Sequence, residues 1–113
     1  VINLENKKNY IAKKLSHGEK QWLEIGMLLM QQPELLLIDE PAAGMTEKET
    51  LNTSNLLKNI SRDRTVIVVE HDMKFVESLE VEVVVLHEGS VLTNGPMSEV
   101  KRNKDVIDVY LGR

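Results

Sequence analysis

Residues 15–46 read "LSHGEKQWLEIGMLLMQQPELLLIDEPAAGMT". Ser16 followed by Glu19 has the spacing of a capping box, in which each side chain satisfies the other residue's backbone N–H. Leu23, Met27 and Met30 then recur at helical spacing, which predicts a helix over 17–31. Trp22, Ile25 and Leu29 occupy its other face. That leaves Lys20, Gln21 and Glu24 as the solvated positions of a helix buried on most sides. Pro33 in "QQP" ends it. "LLLI" (35–38) is short and continuously apolar, the pattern of a strand covered on both faces. It stops on two adjacent acids, Asp39 and Glu40.

Downstream, Thr46 and Glu49 repeat the capping-box spacing, and Leu56, Leu57 and Ile60 give the following helix an apolar side before the polar break "SRDR". "VIVV" (66–69) is a second buried strand. Strand, helix and strand together imply neighbouring or nearby parallel strands joined by a right-handed crossover. After His71 the pattern predicts a short helix over 72–78. "VEVVVLH" and "SVLTN" follow, separated by Glu88 and Gly89, as a hairpin at the sheet edge. The tail from Met97 to Leu111 places Val100, Ile107 and Leu111 on one or two short covering helices, with Gly112 at the end. The fold class is α/β: a mostly parallel sheet flanked by helices, with a terminal hairpin.

The chain has 113 residues, 42% of them hydrophobic, enough for one modest core. Its 14 basic and 18 acidic residues are mixed along the chain, giving a net charge of −4 and no surface suited to nucleic acid. The absence of cysteine excludes a disulfide framework or a thiolate metal site and suits a reducing compartment. No apolar run approaches the roughly 20 residues that span a bilayer. The start, "VINLENKKNY", has no signal-peptide core, so a soluble intracellular protein is expected. The first strong structural signal comes at residue 15, an abrupt opening that predicts a piece of something longer.

Three features carry possible chemistry. In an open parallel sheet, functional residues sit at the carboxyl ends of strands, and Asp39 and Glu40 occupy such an end. Successive strand side chains point to opposite faces, so the strand must end there for both acids to reach one ligand. A merely solvated strand end is the plain alternative. The "LSHG" turn offers the free N–H groups of a helix N-terminus, an anion site suited to phosphate; an ordinary cap is its alternative. His71 follows "VIVVE" directly and faces either the acids across a crevice or solvent.

Taken in order, "LSHGE", "LLLIDEP", "AGMT" and "VIVVEHD" resemble the second half of an ATP-binding cassette (ABC) ATPase, over nearly the whole chain. The resemblance implies the C-terminal part of a P-loop NTPase domain. Residues 1–32 would close the helical subdomain, and 33–113 would form the rest of the ATPase core. It makes Leu15 to Glu19 the signature motif, Leu35 to Glu40 the Walker B strand, Ala43, Gly44, Met45 and Thr46 the D-loop, and His71 the switch histidine. Within the family, "LSHGxKQWLEIGMLL" (x being Glu19), "AGMT", "VVEHDM" and "LHEGSVL" look most like ATPase subunits of urea importers, close relatives of branched-chain amino-acid importers.

The roles follow from that resemblance. Asp39 would hold Mg²⁺, usually through water, Glu40 would act as general base or polarise the attacking water, and His71 would contact the γ-phosphate. Ser16, His17, Gly18 and Glu19 would close over ATP bound by a second ATPase subunit in a head-to-tail dimer, with residues 43–46 along the seam. Partners would be membrane permease subunits and, indirectly, an extracytoplasmic solute-binding protein. The ATPase would be cytoplasmic, peripheral on the inner face of the membrane.

Two residues depart from the family pattern: His17 stands where glycine is usual and Glu19 where glutamine is usual. A capping box would turn Glu19 away from phosphate, which a facing carboxylate would repel. The P-loop G-x-x-x-x-G-K-[ST] is absent, since Gly18, Gly26, Gly44, Gly89, Gly95 and Gly112 all fail it. The chain by itself is therefore expected to be inactive. Alternatives are a non-enzymatic interaction domain derived from the same fold, and a metal-dependent hydrolase using Asp39, Glu40 and His71. The latter lacks the spaced ligands of recognised metal motifs.

Overall fold

The computed structural model describes Ile2 and residues 4–111. Gly112, expected at the end of the tail, lies outside the described residues, as does the side chain of Leu111. The chain divides into two compact units, Val1–Phe75 and Val76–Arg113.

In the first unit, helix α1 spans His17–Leu29 and strand β1 spans Leu35–Asp39. Helix α2 (Glu47–Ile60) and strand β2 (Thr65–Val69) complete it. Both expected capping boxes form, Ser16 with Glu19 and Thr46 with Glu49. Each satisfies two backbone N–H groups at a helix start, where no intrahelical acceptor exists. β1 and β2 are direct parallel neighbours, paired from Leu35↔Thr65 to Asp39↔Val69, so the crossover through α2 joins adjacent strands.

Trp22 and Ile25 of α1, Leu36 and Ile38 of β1, and Leu56, Leu57 and Ile60 of α2 are buried. The indole Nε1–H of Trp22 donates to the hydroxyl of fully buried Thr53 at 2.8 Å, and that hydroxyl can donate in turn to the Glu49 carbonyl at 2.8 Å. This link fixes the rotation of α1 against α2.

Two burial expectations are corrected. α1 is not covered on most sides: Gly18, Trp22 and Ile25 make one buried stripe at helical spacing, while Met27, Leu28 and Met30 are exposed. Nor are the strands covered on both faces. Leu36 and Ile38 point inward, but Leu35, Leu37, Ile67 and Val69 are each about half exposed or more. A continuous apolar run contains two faces' worth of hydrophobic residues, and the described residues cover one.

In the second unit, strands β3 (Glu82–His87) and β4 (Ser90–Pro96) form an antiparallel hairpin. It is a two-stranded sheet of its own, not an edge added to β1 and β2. Glu88 (φ 48°) and Gly89 (φ 81°) make the two-residue turn, whose paired positive φ values match the right-handed twist of the strands. The register slips between Val85 and Leu86, leaving Leu92 as the extra residue of a bulge. Helix α3 (Met73–Leu79) precedes the hairpin. The tail is helical as expected, in short pieces: α4 (Met97–Val100), α5 (Lys104–Val106) and a π-helical turn, Ile107–Leu111. Val85, Met97, Val100 and Val106 are buried.

Candidate functional site

The two parallel strands end side by side, because Asp39 is paired with Val69. Immediately beyond, Glu40 adopts φ 47°, a left-handed conformation unusual for a residue with a side chain, while its N–H donates to the Val69 carbonyl at 2.7 Å. The chain thus leaves the strand geometry at Glu40, and the alternation that would force the two acids to opposite faces stops there. Local strain of this kind persists where surrounding contacts fix it.

Those contacts come from the residues just after β2. The Glu70 carboxylate accepts the Ala42 N–H at 3.0 Å and the His71 N–H at 3.1 Å, tying the segment after β1 to the segment after β2. His71 Nδ1 lies 2.9 Å from Glu40 Oε1. An ionised carboxylate can only accept, so with Glu40 ionised this bond places a proton on Nδ1 and leaves Nε2 out of the pair. Both side chains remain substantially open to solvent, His71 at 72% and Glu40 at 48%. Such a pair can orient a water and receive its proton. The sequence assigned Glu70 no part; its one signal was an acid at a strand end directly before the histidine.

Asp39 is exposed at the same strand end. Among the described residues, no three His, Cys, Asp or Glu side chains gather into a metal site. A single carboxylate suits a Mg²⁺ that takes its remaining oxygens from phosphate and water, and Asp39 fits that requirement.

The "LSHG" turn lies elsewhere, against the segment that leads into α2. The Ser16 hydroxyl accepts the Glu19 N–H at 3.1 Å, and the Glu19 carboxylate accepts the Ser16 N–H at 2.9 Å, so Glu19 does turn back onto its own cap. Glu19 also pairs with Lys7. The Lys7 ammonium, and then the Ser16 N–H, hold its carboxyl below the usual range. The His17 ring packs beside Gly44, whose φ of 72° suits glycine; a Cβ there would meet the ring at 3.2 Å. Ala43 and Met45 close successive turns onto the carbonyls of Glu40 and Ala42. The Met45 sulfur lies 3.0 Å from the Thr53 hydroxyl. Thr46 is the cap of α2.

The structure therefore groups the residues in two sets: Glu40 and His71 at the strand ends near Asp39, and Ser16, His17, Gly18 and Glu19 beside Gly44 and the cap at Thr46. The second set includes one residue without an assigned site role, Glu49. Its carboxylate accepts the Ser16 hydroxyl at 2.7 Å and the Thr46 N–H at 3.1 Å.

A family profile described as ABC transporter matches residues 2–43. The branched-chain amino acid transport ATP-binding protein LivG of Salmonella typhimurium is 38% identical over 113 residues, which cover 98% of this chain and 44% of LivG. BraF of Pseudomonas aeruginosa, another high-affinity branched-chain amino acid transport ATP-binding protein, is 38% identical with the same coverage. The methionine import ATP-binding protein MetN of Desulfitobacterium hafniense is 34% identical over 102 residues, covering 88% of this chain and 30% of MetN. The chain spans less than half the length of these relatives.

Among solved structures, the ADP conformation of MJ1267, an ATP-binding cassette of an ABC transporter, superposes with a TM-score of 0.79. It is 26% identical, over 88% of this chain and 41% of that one. CbiO1 of Clostridium perfringens, part of the ABC transporter complex cbiONQ, gives a TM-score of 0.82 at 29% identity, over 97% and 46%.

Proposed function

We propose, from the premise that this chain belongs to the ABC transporter ATPase family, that it is part of the ATP-hydrolysing subunit of an importer for branched-chain amino acids. The relatives at 38% identity are named for that solute, which favours it over urea, the solute of the importers the sequence was expected to match first. Solute choice would rest with the permease and the solute-binding protein, and this subunit would supply the hydrolysis that drives them. No helix among the described residues is long and apolar enough to cross a membrane, which suits attachment to permease subunits from the side. Residues 1–32 would end the helical subdomain and residues 33–113 the ATPase core.

The observation that carries this reading is the Glu40–His71 pair at the ends of adjacent parallel strands. Glu40 would take the proton of the attacking water. His71 would hold Glu40 through Nδ1 and present Nε2 to the γ-phosphate, where charge develops in phosphoryl transfer. Mg²⁺, when held by Asp39 through water, would neutralise phosphate charge. Ser16 and Gly18 would face the ATP of a second subunit, with residues 43–46 along the seam. This sequence contains no P-loop, so the chain by itself would have no cradle for the phosphates and would not hydrolyse ATP. The apolar outer face of β1 and β2 suits a larger domain in which further elements cover it.

The test is Glu40→Gln in the ATPase expressed from its complete open reading frame. Gln keeps the shape and cannot accept a proton, and removal of a general base costs on the order of 10²–10⁴ in rate. Steady-state phosphate release should fall by at least about a hundredfold. Turnover within a few-fold of the parent would refute the assignment.

A further inference from the structure

The Glu49 carboxylate serves two helices. Oε1 accepts the Thr46 N–H at 3.1 Å and completes the cap of α2. Oε2 accepts the Ser16 hydroxyl at 2.7 Å, from a residue 33 positions away. The same carboxylate lies over Gly18: a Cβ placed there would stand 2.7 Å from both Cδ and Oε2 of Glu49. A side chain at position 18 would therefore push the Glu49 carboxylate from this place. Met45 and Thr53 hold α2 and the turn before it in this arrangement, and Trp22 anchors α1 to the same threonine.

The Ser16 hydroxyl has one proton. Its oxygen already accepts the Glu19 N–H. While the proton goes to Glu49 it is unavailable to any other anion at the start of α1, and the carboxylate's own charge repels one. We propose that Glu49 is an internal anion that competes with nucleotide phosphate for the Ser16 hydroxyl, so that capture of ATP by this turn requires Glu49 to let go. The proposal rests on Ser16 and Gly18 facing nucleotide, as in the function above. It makes Glu49 a brake on closure: the contact that holds the empty turn in shape is the one that ATP must break.

Glu49→Gln isolates the effect. The Gln oxygen still accepts the Thr46 N–H, so the cap survives. Its amide N–H₂ faces the Ser16 oxygen as a donor, which frees the hydroxyl proton and removes the charge. In the ATPase expressed from its complete open reading frame, E49Q should lower KM for ATP about tenfold, the scale of one charge-assisted hydrogen bond, with kcat within about twofold. An unchanged or raised KM would overturn the proposal. The contact itself is read on the present chain by carboxyl-carbon NMR. Glu49 should titrate below the usual carboxylate range in the parent and move upward in Ser16→Ala; no movement would also overturn it. Loss of turnover in Glu40→Gln reports separately on the catalytic base. An active Glu40→Gln enzyme would refute that base and leave the KM of E49Q to decide the role of Glu49.

Discussion

Replacing Thr53 by valine keeps the volume of a fully buried side chain and deletes one oxygen. That oxygen is the acceptor for the Trp22 indole N–H at 2.8 Å, and Trp22 is itself 5% exposed. The stranded donor has no access to water. A buried donor left unpaired costs about 1–3 kcal/mol. The hydroxyl's bond to the Glu49 carbonyl is also lost, though a carbonyl inside α2 keeps its helical partner and adds little. Valine's extra apolar surface offsets part of the loss. The net expectation is about 1.5 kcal/mol of destabilisation. With a urea m-value on the order of 1–2 kcal/mol/M, the midpoint should fall by roughly 1 M. Equilibrium urea unfolding of the purified chain, followed by Trp22 fluorescence and far-UV circular dichroism, measures it. Trp22→Phe in the valine background should then cost about 1 kcal/mol less than in the parent, because the orphaned donor has gone. A valine variant within about 0.5 kcal/mol of the parent would show that Trp22 and Thr53 do not fix α1 on α2.

Two further outcomes concern the caps and the hairpin. Glu49 is held below its ordinary value of 4.5 by the Ser16 hydroxyl and then the Thr46 N–H, and Glu19 by the Lys7 ammonium and then the Ser16 N–H. A carboxyl whose folded pKa is depressed contributes its stability above the unfolded value, and that contribution is lost as pH falls through the folded pKa. Thermal stability should therefore decline below about pH 4.5, and E49Q should flatten the decline; an unaltered profile would contradict the assignment. In the hairpin, Glu88 has a left-handed φ of 48° ahead of Gly89. Glu88→Asn, which supplies the turn residue this geometry favours, should stabilise the chain by about 0.5 kcal/mol, and a lower melting temperature would argue against the turn.

Much of the fold was legible because its signals are local. Ser16 with Glu19, and Thr46 with Glu49, mark helix starts through groups three residues apart, and both caps formed. Glu88–Gly89 between two β-branched runs marked the hairpin turn. The strand, helix and strand order constrained β1 and β2 to be parallel, and they pair directly. The strand-end position of Glu40 and His71 was legible for the same reason. That Glu19 turns back onto its cap also followed from spacing, and the hydrogen bond to Ser16 is present.

Which faces are covered was not legible. "LLLI" and "VIVV" are apolar at every position, so their pattern cannot tell Leu36, buried, from Leu37, 66% exposed. Covering depends on what packs against each face, and a strand's own sequence does not state it. The same holds for α1, whose apolar residues extend around the helix while α2 contacts one stripe. Glu70 stayed unassigned, and Glu49 was read only as a cap partner of Thr46, because their other partners lie 28 and 33 residues away, at Ala42 and Ser16. The sequence by itself determined the order of elements, their caps and turns, and the placing of two acids and a histidine at strand ends. The tertiary structure decided that Glu40 leaves the strand in a left-handed turn, that His71 meets it, and that Glu49 holds the hydroxyl of Ser16. The physical reason is range: caps and turns form between neighbours whose spacing is fixed by the chain. These contacts form between segments brought together by the parallel register and by the packing of α1 on α2.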